Sequence, residues 1–113
     1  MQALQLMNDI QHVEAARNLA QRILKEGGAK DNQRIQWAWR TVTSRRPAPD
    51  EAKIITDVLK EHRSRYAEDL EAAKQLIAYG ESVPDKELAP PELASWTLVA
   101  NLLLNLDEVV NKN

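Results

Sequence analysis

The chain has 113 residues, no cysteine and a net charge of −2 at neutral pH. Without cysteine it forms no disulfide and offers no thiolate to a metal, and charges of both signs mixed along its length exclude a general nucleic-acid magnet. The length is that of one ordinary domain, enough to bury roughly two-thirds of its unfolded surface without staples.

Leu4, Leu6 and Met7 form a short apolar lead-in. No charged segment followed by an apolar one opens the chain, as a signal peptide requires. Residues 1–113 are read as a single helical domain cut from the C-terminal part of a larger protein. Asn8 or Asp9 can cap the first helix, with Gln11 three residues after Asn8 as a capping box needs. Val13, Ala16, Leu19, Ala20, Ile23 and Leu24 give a helical stripe, and Gly27-Gly28 ends it. The first helix is therefore expected over about Asp9 to Glu26.

Asp31 is the expected cap of a second helix, running to about Thr43, whose inner face reads Ile35, Ala38, Trp39 and Val42. Trp37 is two residues from Trp39 and so points roughly 200° away round the helix. Ser44 to Pro49 breaks the chain, because its two prolines forbid a continuous helix. A third helix starts at Pro49 with Ile55, Val58, Leu59, His62 and Tyr66 on one side. Asp69 caps a shorter fourth helix whose apolar side holds Leu70, Ala73, Leu76, Ile77 and Tyr79, and Gly80 stops it. Residues 81–90 have no periodicity and are read as a loop.

Pro90 and Pro91 suit the first turn of a last helix, and Glu92 places a negative charge at its positive end. From Leu93 to Val110 the apolar residues cover more than one stripe, so this helix should touch neighbours round most of its circumference. Its polar residues Thr97, Asn101, Asn105 and Glu108 form one narrow line, expected to meet water or to hydrogen-bond to a neighbouring helix. Ser95, Thr97, Asn101 and Asn105 interrupt the run and argue against a membrane span. No strand alternation is found. The fold expected is all-α, a compact irregular bundle of five helices with the C-terminal helix central.

Three motifs in chain order carry a family resemblance. Leu6-Met7-Asn8-Asp9-Ile10-Gln11-His12-Val13-Glu14-Ala15-Ala16-Arg17 is similar to LLNDPQFVEAAR. Ser44-Arg45-Arg46-Pro47-Ala48-Pro49-Asp50-Glu51 is similar to GRxPTxxE, and Leu103-Leu104-Asn105-Leu106-Asp107-Glu108 to LLNLDEF. The set resembles the C-terminal helical region of large planctomycete-type proteins that often carry a cytochrome-c-like domain upstream, a region of unknown function. The departures are Ile10 for Pro, His12 for Phe, Ser44 for the turn Gly and Ala48 for a capping Thr. Losing that cap costs about 1 kcal/mol, while Glu51 can still reach back to the Ala48 N–H. The resemblance implies an exported, periplasmic or cell-envelope parent. It carries over no haem-binding residue, because CxxCH is absent from the chain.

No catalytic, cofactor-binding or metal-binding residue is assigned. His12 and His62 lie in no ligand pattern, and His12 and Glu14 diverge on a helix, so His12 is read as a packing residue. The acidic pairs Asp50-Glu51 and Asp107-Glu108 diverge by about 100° and make no acid–base couple. Asp50 and Glu51 favour a helix's first turn, and Asp107 is expected to accept from Arg45 or Arg46. Asn101 and Asn105 are expected to tie loop carbonyls, such as those of the Arg45–Pro49 turn; the alternative is the polar floor of a small pocket. Arg45, Glu51, Asn101, Asn105 and Asp107 thus form the expected structural polar network. Trp37, Arg40 and Arg46 form the expected partner surface, unless the 81–90 loop covers Trp37.

The function read from this is a non-catalytic structural or interaction module, partnered by other domains of the parent or by another protein. One alternative is a composite active site completed upstream, with Arg45, Asp107 and Glu108 as its residues. Another is weak nucleic-acid binding through Arg40, Arg45, Arg46 and Lys53 beside Trp37.

Overall fold

Among the described residues, glycine, proline and a capping aspartate punctuate five helices: α1 (Ile10–Glu26), α2 (Asp31–Thr43), α3 (Pro49–Glu68), α4 (Leu70–Ile77) and α5 (Pro90–Asn111). The structure is a computed structural model. It describes residues 10–80 and 82–111, with side chains over 13–80 and 82–106. The lead-in Leu4, Leu6 and Met7, the expected cap at Asn8 or Asp9, and the side chains of His12, Asp107 and Glu108 lie outside the described residues.

The core is built around α5, which packs against each of the other four helices. Leu93, Ala94, Trp96, Val99, Ala100 and Leu103 are fully buried, and so are Ser95 and Thr97. Ala16, Ala20 and Ile23 come from α1, Ile35, Ala38 and Trp39 from α2, Ile55 and Leu59 from α3, and Ala73 and Ile77 from α4. A helix surrounded in this way has no use for a single apolar stripe, which is why α5 is apolar on most sides. No described helix is long and apolar enough to cross a membrane. The radius of gyration, 13.4 Å, is close to the ~13 Å of a compact chain this long.

Several local expectations change. Thr97 is turned from water, and its hydroxyl bonds within its own helix, Oγ1 donating to the Leu93 carbonyl at 2.6 Å; Ser95 does the same to Pro91 at 2.7 Å. A buried hydroxyl is satisfied most directly by the carbonyl four residues back. Asp31 is the first residue inside α2 and not its cap. Gln33 performs the capping, its Oε1 accepting from the Ala29 and Lys30 N–H groups at 3.1 Å each, because the Asp31 carboxylate is taken by Arg63. Leu70 and Tyr79, expected on the inner face of α4, are exposed. Ala73 and Ile77 alone reach full burial from this eight-residue helix. Asp69 does cap it, accepting from the Ala72 N–H at 3.0 Å.

α2 ends on Ser44 in the left-handed conformation, φ 66°, with its N–H donating to the Arg40 carbonyl. A side chain there costs about 1–2 kcal/mol, and glycine adds roughly 0.4–1 kcal/mol of unfolded-state entropy. Ser44→Gly is therefore expected to stabilise the chain by about 0.5–1 kcal/mol in urea unfolding. A loss of stability would mean that Ser44 makes a contact worth more than the strain.

Candidate functional site

The charged side chains drawn toward the interior serve as ties. Arg17 on α1 is 1% exposed. Its Nη1 donates to the carbonyls of Ile77 at 2.7 Å and Tyr79 at 3.2 Å, and its Nη2 to Ser82 Oγ. Glu14, one turn earlier, accepts from the Ser82 N–H at 2.7 Å. Gln21 Oε1 accepts from the Asp85 N–H at 2.9 Å, and Lys25 pairs with the Asp85 carboxylate. Residues 14, 17, 21 and 25 lie three or four apart, so one line of α1 holds the end of α4 and the following loop. Gly80 allows the close approach: its φ is +97°, and a Cβ there would lie 2.6 Å from the Glu14 carboxyl carbon.

Arg63 on α3 makes the second tie. It donates to both oxygens of Asp31 at 2.9 and 3.1 Å and to both oxygens of Glu92 at 2.7 and 3.0 Å. Both carboxylates lie in first turns, of α2 and of α5, where negative charge is favoured. The guanidinium holds the Asp31 carboxyl below its ordinary range. Sequence reasoning singles out neither Arg17 nor Arg63. Arg17 does carry a signal, since it falls within the stripe of Val13, Ala16, Ala20 and Leu24. Arg63 carries none, as its partners are 32 and 29 residues distant.

Of the residues expected in a polar network, Arg45 and Glu51 are brought together. The guanidinium forks onto the Glu51 carboxylate at 2.9 and 3.0 Å and lies 5.3 Å from the centre of the Trp39 ring. Glu51 Oε1 also accepts from the Ala48 N–H at 2.7 Å, so the half capping box is present although Ala48 has no side-chain oxygen. Asn101 and Asn105 lie half-buried on α5. His62 is half-buried on α3; burial pushes its pKa down, and its Nδ1 has no hydrogen-bond partner among the described residues. No cluster of three metal-ligating side chains occurs among the described residues.

The Arg45 guanidinium and the Ala48 N–H hold the Glu51 pKa down to about 2, against 4.5 for a free glutamate. A depressed carboxylate stabilises the fold above the unfolded-state pKa and stops doing so as pH falls through the folded one. The contribution of Glu51 should be complete above about pH 4.5 and fade toward pH 2. Melting temperatures of wild type and Glu51→Gln, followed from about pH 6 to pH 2, should differ most at the high end and converge at the low end. Parallel curves would show that the ionised pair contributes nothing.

Two of the surface concavities are formed by described residues. One, of about 260 Å³, is an apolar groove between Trp39, Ile54, Ile55, Leu102 and Leu106 with Glu51 at its side. The other, of about 430 Å³, is lined by Trp37, Arg40, Thr41 and Ser44, which lie along one face of α2 and its end. Trp37 is half-buried against the core, and the Arg22 guanidinium of α1 lies 5.2 Å from its ring centre. It therefore meets a second helix and also walls a pocket. Trp37 and Arg40 are brought together here, whereas Arg46 is exposed beyond the end of α2 and not part of the lining.

The family model described as PSD1: Protein of unknown function (DUF1553) matches residues 1–59, from the start of the chain through α1, α2 and the proline turn into α3. The chain belongs to the PSD1 family. The match takes in Glu14, Arg17, the Trp37 pocket and the Arg45–Glu51 pair, so the α1 half of the first tie, the open pocket and the turn all fall within the family's own region. No curated protein and no solved structure matches the chain.

Proposed function

We propose that this PSD1 chain is a non-catalytic scaffolding and interaction module, the C-terminal part of a larger exported protein. The observation that carries the reading is the division of labour among its cations. Arg17, Arg45 and Arg63 are committed to carbonyls and carboxylates of the chain itself, while Arg40 beside Trp37 lines an open pocket. Charged groups committed to bracing helices are positioned for stability, and an aromatic next to an exposed arginine has the composition of an interface anchor. Asn101, Asn105 and Asp107 belong with the braces in this reading. The exported parent with an upstream cytochrome-c-like domain rests on the three-motif resemblance.

The competing reading makes Arg45, Asp107 and Glu108 part of an active site completed upstream. The two separate cleanly. The purified chain should turn over nothing in an unbiased hydrolase and redox screen, and Arg45→Gln should lower its melting temperature. Turnover by the chain, or an Arg45→Gln parent protein that melts normally but has lost its activity, would overturn the module reading.

A further inference from the structure

The sequence from Asp31 to Arg46 carries four arginines against one carboxylate, in a chain whose net charge is −2. Asp31 is neutralised by Arg63, Arg34 is spent on the Gly28 carbonyl at 2.9 Å, and Arg45 is spent on Glu51. Arg40 is exposed, and neither it nor Arg46 makes an ion pair among the described residues. The pocket on this face presents donors from three positions: the Arg40 guanidinium and the Thr41 and Ser44 hydroxyls. Trp37 forms an apolar wall. A site made of donors and one aromatic edge, with no acid in its lining, is built for an acceptor-rich, negatively charged ligand that also buries some apolar surface.

We propose that this face of α2 docks an acidic peptide segment of a protein partner, one carboxylate entering the pocket against Arg40, Thr41 and Ser44 and a neighbouring one meeting Arg46. The inference rests on the module reading and names its partner's chemistry. Nucleic acid offers the same charge but fits less well. Trp37 has Arg22 over its ring and is packed against the core, so it gives no open face for a base to stack on.

The test is fluorescence anisotropy of a labelled hexaglutamate peptide titrated with the 113-residue chain at low ionic strength, with indole N–H resonances followed in parallel. Saturable binding with Kd below about 1 mM is expected, with the Trp37 resonance moving and binding weakening as salt is added. Arg40→Glu, on an exposed side chain, and Thr41→Glu, which fills the pocket with like charge, should each weaken binding by at least about tenfold while leaving the melting temperature unchanged. No saturable binding, binding indifferent to both variants, or tighter binding of a single-stranded oligonucleotide would overturn the proposal. A chain that binds no peptide and also turns over no substrate defeats the acidic partner alone, whereas turnover defeats the module reading beneath it.

Discussion

Trp96→Ala is expected to destabilise the chain by about 3–5 kcal/mol, a large part of the total stability of a domain this size. Trp96 is fully buried on α5, the helix all the others touch. Truncation removes its packing and leaves a cavity that helices pressed from several sides cannot close. The indole Nε1 has no hydrogen-bond partner among the described residues. That detail makes a sharper expectation: Trp96→Phe removes a buried, unpaired donor along with some volume, so it should cost far less than the alanine variant, under about 1.5 kcal/mol. Urea unfolding of the three proteins gives the comparison. Equal losses for Ala and Phe would mean that the indole N–H makes a bond of real value.

Arg17→Met should cost about 3 kcal/mol, although methionine is apolar, of similar length and a good helix former. The guanidinium satisfies two carbonyls and a hydroxyl from the end of α4 and the segment beyond it, and removing a buried charged partner leaves those groups orphaned. Lysine should not rescue it, because a single ammonium cannot reproduce the planar fork. The damage should be local first. Limited proteolysis should cut near residues 82–88 in Arg17→Met under conditions where wild type resists. A variant that loses stability without that cleavage would place the role of Arg17 elsewhere than in holding the loop.

The helix count and most helix ends can be read from the sequence because they are fixed by local chemistry. Gly27-Gly28, the Pro47–Pro49 turn, Asp69 and Pro90 each act on their own neighbours. The burial of α5 is legible for a similar reason, since leucines on every side of a helix require partners on every side. Ser44 is legible through the resemblance: a family glycine at a turn implies a left-handed residue, and Ser44 has φ 66°. Asp31 misleads because a good capping residue is also within reach of an arginine on another helix, and tertiary charge pairing overrides the local rule. Leu70 shares an angular face with Ile77 but sits at the far end of a short helix, where it stays exposed. Arg17 is hidden by the habit of sending charge to the surface, even though its spacing puts it in the core stripe. Of the candidate site, the pairing of Trp37 with Arg40 follows from their spacing of three, but the pocket around them depends on tertiary packing, and no local pattern records that.

α5 is packed against the other four described helices, and on that enclosure the stability of the chain depends. Native-state hydrogen exchange of the backbone amides from Trp96 through Leu104 tests it most directly. These amides should exchange only through global unfolding, with the free energy and urea dependence measured for the whole chain. Exchange of the same amides by local opening, well below the global free energy and insensitive to urea, would contradict it.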